Sequence, residues 1–163
     1  MPDSITLKQL HKVIQSSMGW SDRHQHEFII ADTRYGNPEL GSREMFPERS
    51  LRLGKCLGSL KTFSYVYDFG DFWEFTLQVE NVLPLEAVEH FPACIDGARA
   101  APPEDVGGPP GYLDFLEAMA NPMHPGHADA IKWYGGKFEP EQFVIPVTSS
   151  GHKGALHPER ENG

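Results

Sequence analysis

Two alternating runs meet head to tail in the middle of this chain. Phe63, Tyr65 and Tyr67 alternate with Ser64 and Val66; Trp73, Phe75, Leu77 and Val79 then alternate with Glu74, Thr76, Gln78 and Glu80. Successive side chains of a strand point to opposite faces, so each run predicts a strand with one buried, largely aromatic face. Only Asp68-Phe69-Gly70-Asp71 separates them. A Gly-containing link that short predicts an antiparallel hairpin with the link at its tip. Everything else in the fold has to cover that aromatic face.

The first cover is upstream. Thr6-Leu7-Lys8-Gln9 reads as a capping box, in which the Thr6 hydroxyl and the Gln9 side chain satisfy each other's backbone N–H groups. Leu7, Leu10, Val13, Ile14 and Met18 follow at helical spacing, and Gly19 suits a left-handed stop. The spacing predicts an amphipathic helix over 7–18. "HQHEFIIAD" reads as a strand with His24, His26, Phe28 and Ile30 on one face. The turn-rich Arg34–Pro38 and the stretch to about Glu48 read as loop. Leu51, Leu53 and Leu57 suggest a short helical turn.

Residues 92–111, "PACIDGARAAPPEDVGGPPG", are too rich in Pro and Gly for regular structure. Tyr112, Leu113, Phe115, Leu116 and Met119 mark a helix ending at Asn121-Pro122. Pro125 suits the first position of another, running to Tyr134 before Gly135-Gly136. Phe138 and Phe143–Ile145 read as a last packed element. The polar stretch 148–163 reads as a disordered tail. Helix, strand, hairpin, Pro/Gly loop and two helices, with no βαβ rhythm, predict one α+β domain over 1–147. Its core is an antiparallel sheet on a central hairpin, packed with three to four helices.

Charge narrows the function classes. The formal net charge is −9, with 14 Lys and Arg scattered among 23 Asp and Glu. A broad nucleic-acid face needs a basic stripe to replace condensed counterions, and no four basic residues cluster here. No run of about 18 apolar residues exists to span a membrane. The N-terminus lacks a basic start followed by an apolar core. The two cysteines, Cys56 and Cys94, are too few for a disulfide framework. These features predict a cytoplasmic protein with reduced thiols.

Three segments carry residues capable of chemistry. They are Asp68 and Asp71 at the hairpin tip, Glu104 and Asp105 in Pro102–Gly108, and His124 with His127. Carboxylates suit Mg²⁺ or Mn²⁺ and imidazoles suit Zn²⁺, so convergence would make a divalent-metal hydrolase or nuclease. His24 and His26, two apart on a strand, and Cys94 are further candidate ligands. The bland reading is stronger for each alone. Asp in a turn binds nearby backbone N–H groups. Glu104 and Asp105 would do the same for the Pro/Gly loop, and His124 would cap a helix. Half-buried strand histidines are more often satisfied by ordinary hydrogen bonds. Cys94 suits a small buried position, and Trp20, Trp73 and Trp133 suit the core. Asp68–Gly70 spells the protein-kinase DFG, but no Gly-rich phosphate loop or His-Arg-Asp loop accompanies it.

Taken together, "TLKQLHKVIQSSMGWSDRHQHEF", "FSYVYDFGDFWEFTLQVE", "CIDGARAAPPEDVGGPPGY" and "NPMHPGHADAIKW" resemble, in this order, the plasmid pRiA4b ORF-3-like family. The resemblance runs from about Ile5 to Phe143. It implies association with plasmids, insertion sequences and their chromosomal descendants; some members carry a resolvase-like label, and no established biochemical activity comes with the name. It implies a two-part signature. One part is Tyr67, Asp68, Gly70, Asp71 and Trp73; the other is Pro102, Pro103, Glu104, Asp105, Gly107 and Gly108, followed by Tyr112. The chain departs from the family pattern at Ala101, usually Cys, and at Phe75, usually His. A family metal site using those two residues would have lost them here. Family members usually begin with a strand pair and a Val where this chain has Met1. The resemblance therefore implies a truncated or mis-started N-terminus, exposing a sheet edge through which a homodimer would form.

The reading these features favour is a non-catalytic binding or accessory module of mobile elements. Its acidic tip-and-loop surface would meet a protein or a small ligand, with Asp68 or Asp71 bonding backbone N–H groups of the Pro/Gly loop. The alternatives are the metal-dependent hydrolase and a DNA-recombination accessory, the latter set against the charge.

Overall fold

The computed structural model describes residues 5–39, 44–82, 92 and 94–145. The expected tail at 148–163 lies outside the described residues. The central hairpin is present: β4 (Thr62–Tyr67) pairs antiparallel with β5 (Trp73–Gln78), with Tyr67 opposite Trp73, Tyr65 opposite Phe75 and Phe63 opposite Leu77. The aromatic residues of both strands therefore share one face. Phe63, Tyr65, Tyr67 and Trp73 are buried there with Phe28 and Ile30 of β1 (His26–Ile30).

Helix α1 (Leu7–Met18) contributes Leu7 and Leu10 to the same core. Each such side chain stabilises the fold by roughly 1.5–3 kcal/mol through burial. Its ends are built as the sequence predicts. Thr6 and Gln9 complete the capping box, and Gly19 closes the helix at φ 69°. A short helix α2 (Leu53–Leu57) adds Leu53 and Leu57. Backbone bonds from Leu7 N–H to Leu51 O and from Leu53 N–H to Ile5 O tie the two helix starts together.

The structure corrects the loop expected at Arg34–Pro38. Thr33–Gly36 is a strand, β2, antiparallel to β1, and the chain reverses one step earlier at Ala31-Asp32. Both residues are left-handed (φ 48° and 61°), as a two-residue hairpin turn of the favoured hand requires. The loop expected to run to Glu48 is interrupted by β3 (Phe46–Pro47), which pairs parallel with β2. The sheet order is β3-β2-β1-β4-β5, so it is mixed at one edge rather than wholly antiparallel. His24 lies before β1, not in it.

The Pro/Gly stretch is also more regular than expected. Helix α3 (Gly108–Ala120) begins inside it, with prolines in its first turn where a missing N–H costs nothing. Helix α4 (His127–Tyr134) starts after Gly126, two residues later than the Pro125 start predicted, and ends at left-handed Gly135. Phe115 and Phe138 are buried, and with Tyr134 they make an edge-to-face cluster that Tyr112 links to Trp73. Trp133, expected in the core, is half exposed, because it sits on the outer side of that cluster. Phe143–Ile145 forms no regular element. Phe143 lies against Gly97, and Val144 and Ile145 face solvent. No helix among the described residues is long and apolar enough to cross a membrane.

Candidate functional site: a joint and a cleft

At the hairpin tip, Asp68 turns Oδ1 back onto the backbone N–H groups of Gly70 (2.9 Å) and Asp71 (3.3 Å). Asp71 reaches outward instead. Its Oδ2 accepts the N–H of Gly107 at 3.1 Å. Next comes Gly108, left-handed at φ 67°, where a Cβ would lie 2.2 Å from the carbonyl oxygen of Asp71. No side chain fits that approach. The two halves of the signature therefore touch, backbone against backbone.

The rest of the Pro/Gly loop is fastened to residues 20–24. Trp20 Nε1 donates to Pro102 O at 2.9 Å. Glu104 accepts from the Tyr67 hydroxyl (2.6 Å) and from both the backbone N–H (3.0 Å) and hydroxyl of Ser21. Tyr67 Oη in turn accepts the N–H groups of Arg23 and His24. Asp105 pairs with Arg23 at 3.3 Å and with His24 Nε2 at 2.7 Å, while His24 Nδ1 lies 3.6 Å from Asp68 Oδ2. Burial pushes the Tyr67 hydroxyl well above its ordinary value, reinforced by Glu104. Burial alone would raise Glu104 too, but hydrogen bonds from Ser21 and Tyr67 outweigh it and hold the carboxyl below the usual range. The bond to Asp105 raises His24, against a smaller opposing effect of burial.

Beside this joint lies a cleft of about 370 Å³, lined by Lys8, His11, Asp22, Arg23, His24, Gln25, His26, Asn37, Met45 and Phe69. Its floor is a cycle of hydrogen bonds. The backbone N–H of Asp22 donates to Gln15 Oε1 at 3.1 Å, which fixes the orientation of that amide. Gln15 Nε2 then donates to Tyr65 Oη at 3.1 Å. Tyr65 Oη lies 2.8 Å from His11 Nδ1, and His11 Nε2 lies 2.7 Å from Asp22 Oδ1. A carboxylate only accepts, so Nε2 carries the single proton of the neutral imidazole and Nδ1 receives the phenol's. The cycle closes with every donor running the same way.

Burial drives the pKa of His11 down to about 4, helped by the neighbouring His26, so the ring is neutral. Burial would raise Asp22, but hydrogen bonds from Lys12 and His11 prevail and hold it low. His26 stacks on His11, ring centroids 3.5 Å apart and planes 3° from parallel, and bonds Glu48 through Nε2 at 2.8 Å. Burial would raise Glu48; the His26 bond outweighs it and keeps the carboxyl low.

The structure thus brings Asp68, Asp71, Glu104 and Asp105 together, and with them His24. It does not add His124 and His127. Those serve the α3–α4 corner: His124 Nδ1 accepts the N–H of Gly126, and His127 Nδ1 donates to Ala118 O. His124 is therefore not the residue capping α4, which is Gly126. Cys94 is only partly buried, its thiol 3.6 Å from Asp96 O. Phe75 packs against Trp20 and Tyr65, so an aromatic contact fills the position where the family pattern has His. Sequence reasoning missed His11, Gln15, Asp22 and Glu48. The signal was present for two of them: Leu7, His11 and Gln15 form an i, i+4 row on the buried face of α1, where polar residues need partners.

The family model described as plasmid pRiA4b ORF-3-like protein matches residues 1–146. The uncharacterised protein y4hQ of Sinorhizobium fredii is 39% identical over 138 residues, covering 83% of this chain and 71% of the relative. The crystal structure of MM3350, a protein of unknown function from Methanosarcina mazei Go1, superimposes with a TM-score of 0.80 at 34% identity, covering 92% of this chain and 86% of that one.

Proposed function

This chain belongs to the plasmid pRiA4b ORF-3-like family, and we propose that within it the protein is a binding module whose cleft takes a small anionic ligand. The observation that carries this reading is the division of labour between joint and cleft. In the joint, Asp71, Glu104 and Asp105 are each engaged by donors from elsewhere in the chain. They act as fasteners. The cleft is open and edged by Lys8, by Arg23 and His24, which also reach into the joint, and by Asp22, whose carboxylate Lys12 and His11 engage, with Asn37 as a further polar group and Phe69 and Met45 as apolar wall. A few charged groups beside apolar surface suit orienting a compact acid. An accessory role in plasmid or insertion-sequence biology is the setting we propose, on the family's description alone.

The test is a thermal-shift and calorimetric screen of small carboxylates and phosphates against wild type and a Lys8→Ala/Arg23→Ala double variant. At least one acid should raise the melting temperature of the wild type and lose that effect in the variant. A screen in which no acid shifts the wild type sinks the reading. Turnover of an ester or phosphodiester that Glu104→Gln abolishes would replace binding by catalysis.

A further inference from the structure

We propose that His11, His26 and Asp22 form a binding site for a divalent transition-metal ion in the floor of the cleft, with Zn²⁺ the natural probe. This goes beyond the anion-binding reading and does not depend on it. One nitrogen of each imidazole and one oxygen of Asp22 lie within 4.8 Å of one another. Tetrahedral zinc at about 2.0–2.1 Å from each ligand sets donor atoms roughly 3.4 Å apart. Binding an ion there would turn the side chains, open the stacked His11 and His26 rings, and lengthen the 2.7 Å His11–Asp22 contact. Two imidazoles and one carboxylate favour a borderline ion over Mg²⁺ or Ca²⁺, which prefer all-oxygen shells. The cleft leaves room for a further ligand.

The surroundings have the form of a metal site's supporting groups. Ligating histidines donate their second N–H to a carboxylate or other oxygen, which fixes the tautomer. Glu48 accepts from Nε2 of His26, so Nδ1 is the nitrogen that would meet a metal. Tyr65 stands at Nδ1 of His11. Without metal, the His11 proton sits on Nε2, facing Asp22. With metal on Nε2, that proton leaves to water and one is taken up at Nδ1, where Tyr65 Oη accepts it once its own O–H, which points at the ring without metal, has turned away. Charge on the ring is unchanged; only the tautomer exchanges.

The second histidine–carboxylate group, His24 with Asp68 and Asp105, makes a built-in rival. It is more exposed, and Arg23 already shares Asp105. The bland alternative for His11 is a hydrogen-bonded core histidine with no affinity for metal, and the experiment separates the three. The full chain, stripped with a chelator, is titrated with Zn²⁺ calorimetrically and in competition with a chromophoric chelator. One ion per chain is expected. Affinity should fall at least about tenfold in Asp22→Asn and His26→Ala and stay unchanged in Asp105→Asn and His127→Ala, each variant checked for folding by circular dichroism. In imidazole ¹⁵N spectra, the protonated nitrogen of His11 should move from Nε2 to Nδ1 on saturation. This readout, with Asp22→Asn, decides the matter even if His26→Ala does not fold. Absence of binding at about 100 µM Zn²⁺ overturns the proposal. So does binding that survives Asp22→Asn and is lost in Asp105→Asn, or saturation that leaves the His11 tautomer where it was.

Discussion

Two histidine–carboxylate groups sit beside one cleft and titrate in opposite directions. His11 has an ionised carboxylate at 2.7 Å, and so does His24. Yet His11 is pushed down to about 4 and His24 is pushed up. The difference is solvent. His11 is 1% exposed, and the cost of burying an imidazolium exceeds what Asp22 returns. About a third of the His24 side chain remains in water, so its bond to Asp105 decides the sign. A carboxylate neighbour does not by itself make a histidine charged; the burial around the pair settles it.

That contrast can be broken at several strengths. The largest effect belongs to the joint's backbone, on which the exposed pair depends. Gly108→Ala puts a Cβ 2.2 Å from Asp71 O in a left-handed conformation. Strain and overpacking together should cost about 4 kcal/mol in urea unfolding. A loss below about 1 kcal/mol would mean that the tip and loop separate without harm.

The next effect is the buried histidine's. His11 has a folded pKa of about 4 against 6.5 unfolded. The unfolded chain therefore binds the extra proton between those values, and stability falls as pH drops from 6.5 towards 4, by roughly 3 kcal/mol over the window. Asp22, Glu48 and Glu104, all held low, lose their contributions in the same direction further into acid. A His11→Gln variant isolates the histidine, because its unfolding free energy should be flatter than wild type from pH 6.5 to 4. Parallel curves would show that His11 is not neutral when folded.

The smallest effect has the opposite sign. His24 is raised, so it stabilises below the unfolded value and the benefit fades as pH rises through the folded pKa. Exposure and salt limit it to under about 1 kcal/mol. His24→Gln should remove that slope, and 0.5 M salt should shrink it in wild type while leaving the His11 slope nearly intact.

How much of this was readable in the chain follows from range. The β4–β5 hairpin and α1 are written in local periodicity and caps, so their residues announce them. Strand β2 was missed because Ala31-Asp32 makes a two-residue turn without the Asn-Gly or Asp-Gly that usually marks one. Helix α3 was expected too late, since Pro109 and Pro110 read as breakers unless they are recognised as a first turn. The joint was legible as two motifs that ought to meet, and Asp71 does bond Gly107. The cleft floor was not. Four of its six residues, His11, Gln15, Asp22 and His26, fall within residues 11–26, but they meet only when α1 folds back over β1, and Tyr65 and Glu48 join them from β4 and a distant loop.

The one-way hydrogen-bond cycle has a bearing on redesign. A backbone N–H cannot reverse, so while His11 Nε2 bonds Asp22 and no metal is bound, the donor at Asp22 dictates the rotor and tautomer of every later member. Replacing any one of Gln15, Tyr65 or His11 leaves at least one polar atom of its neighbours without its partner in the cycle. Asn37, Met45 and Phe69 lie outside it on the rim. An engineer seeking a new ligand would treat the floor as fixed chassis and draw every library from those three rim positions.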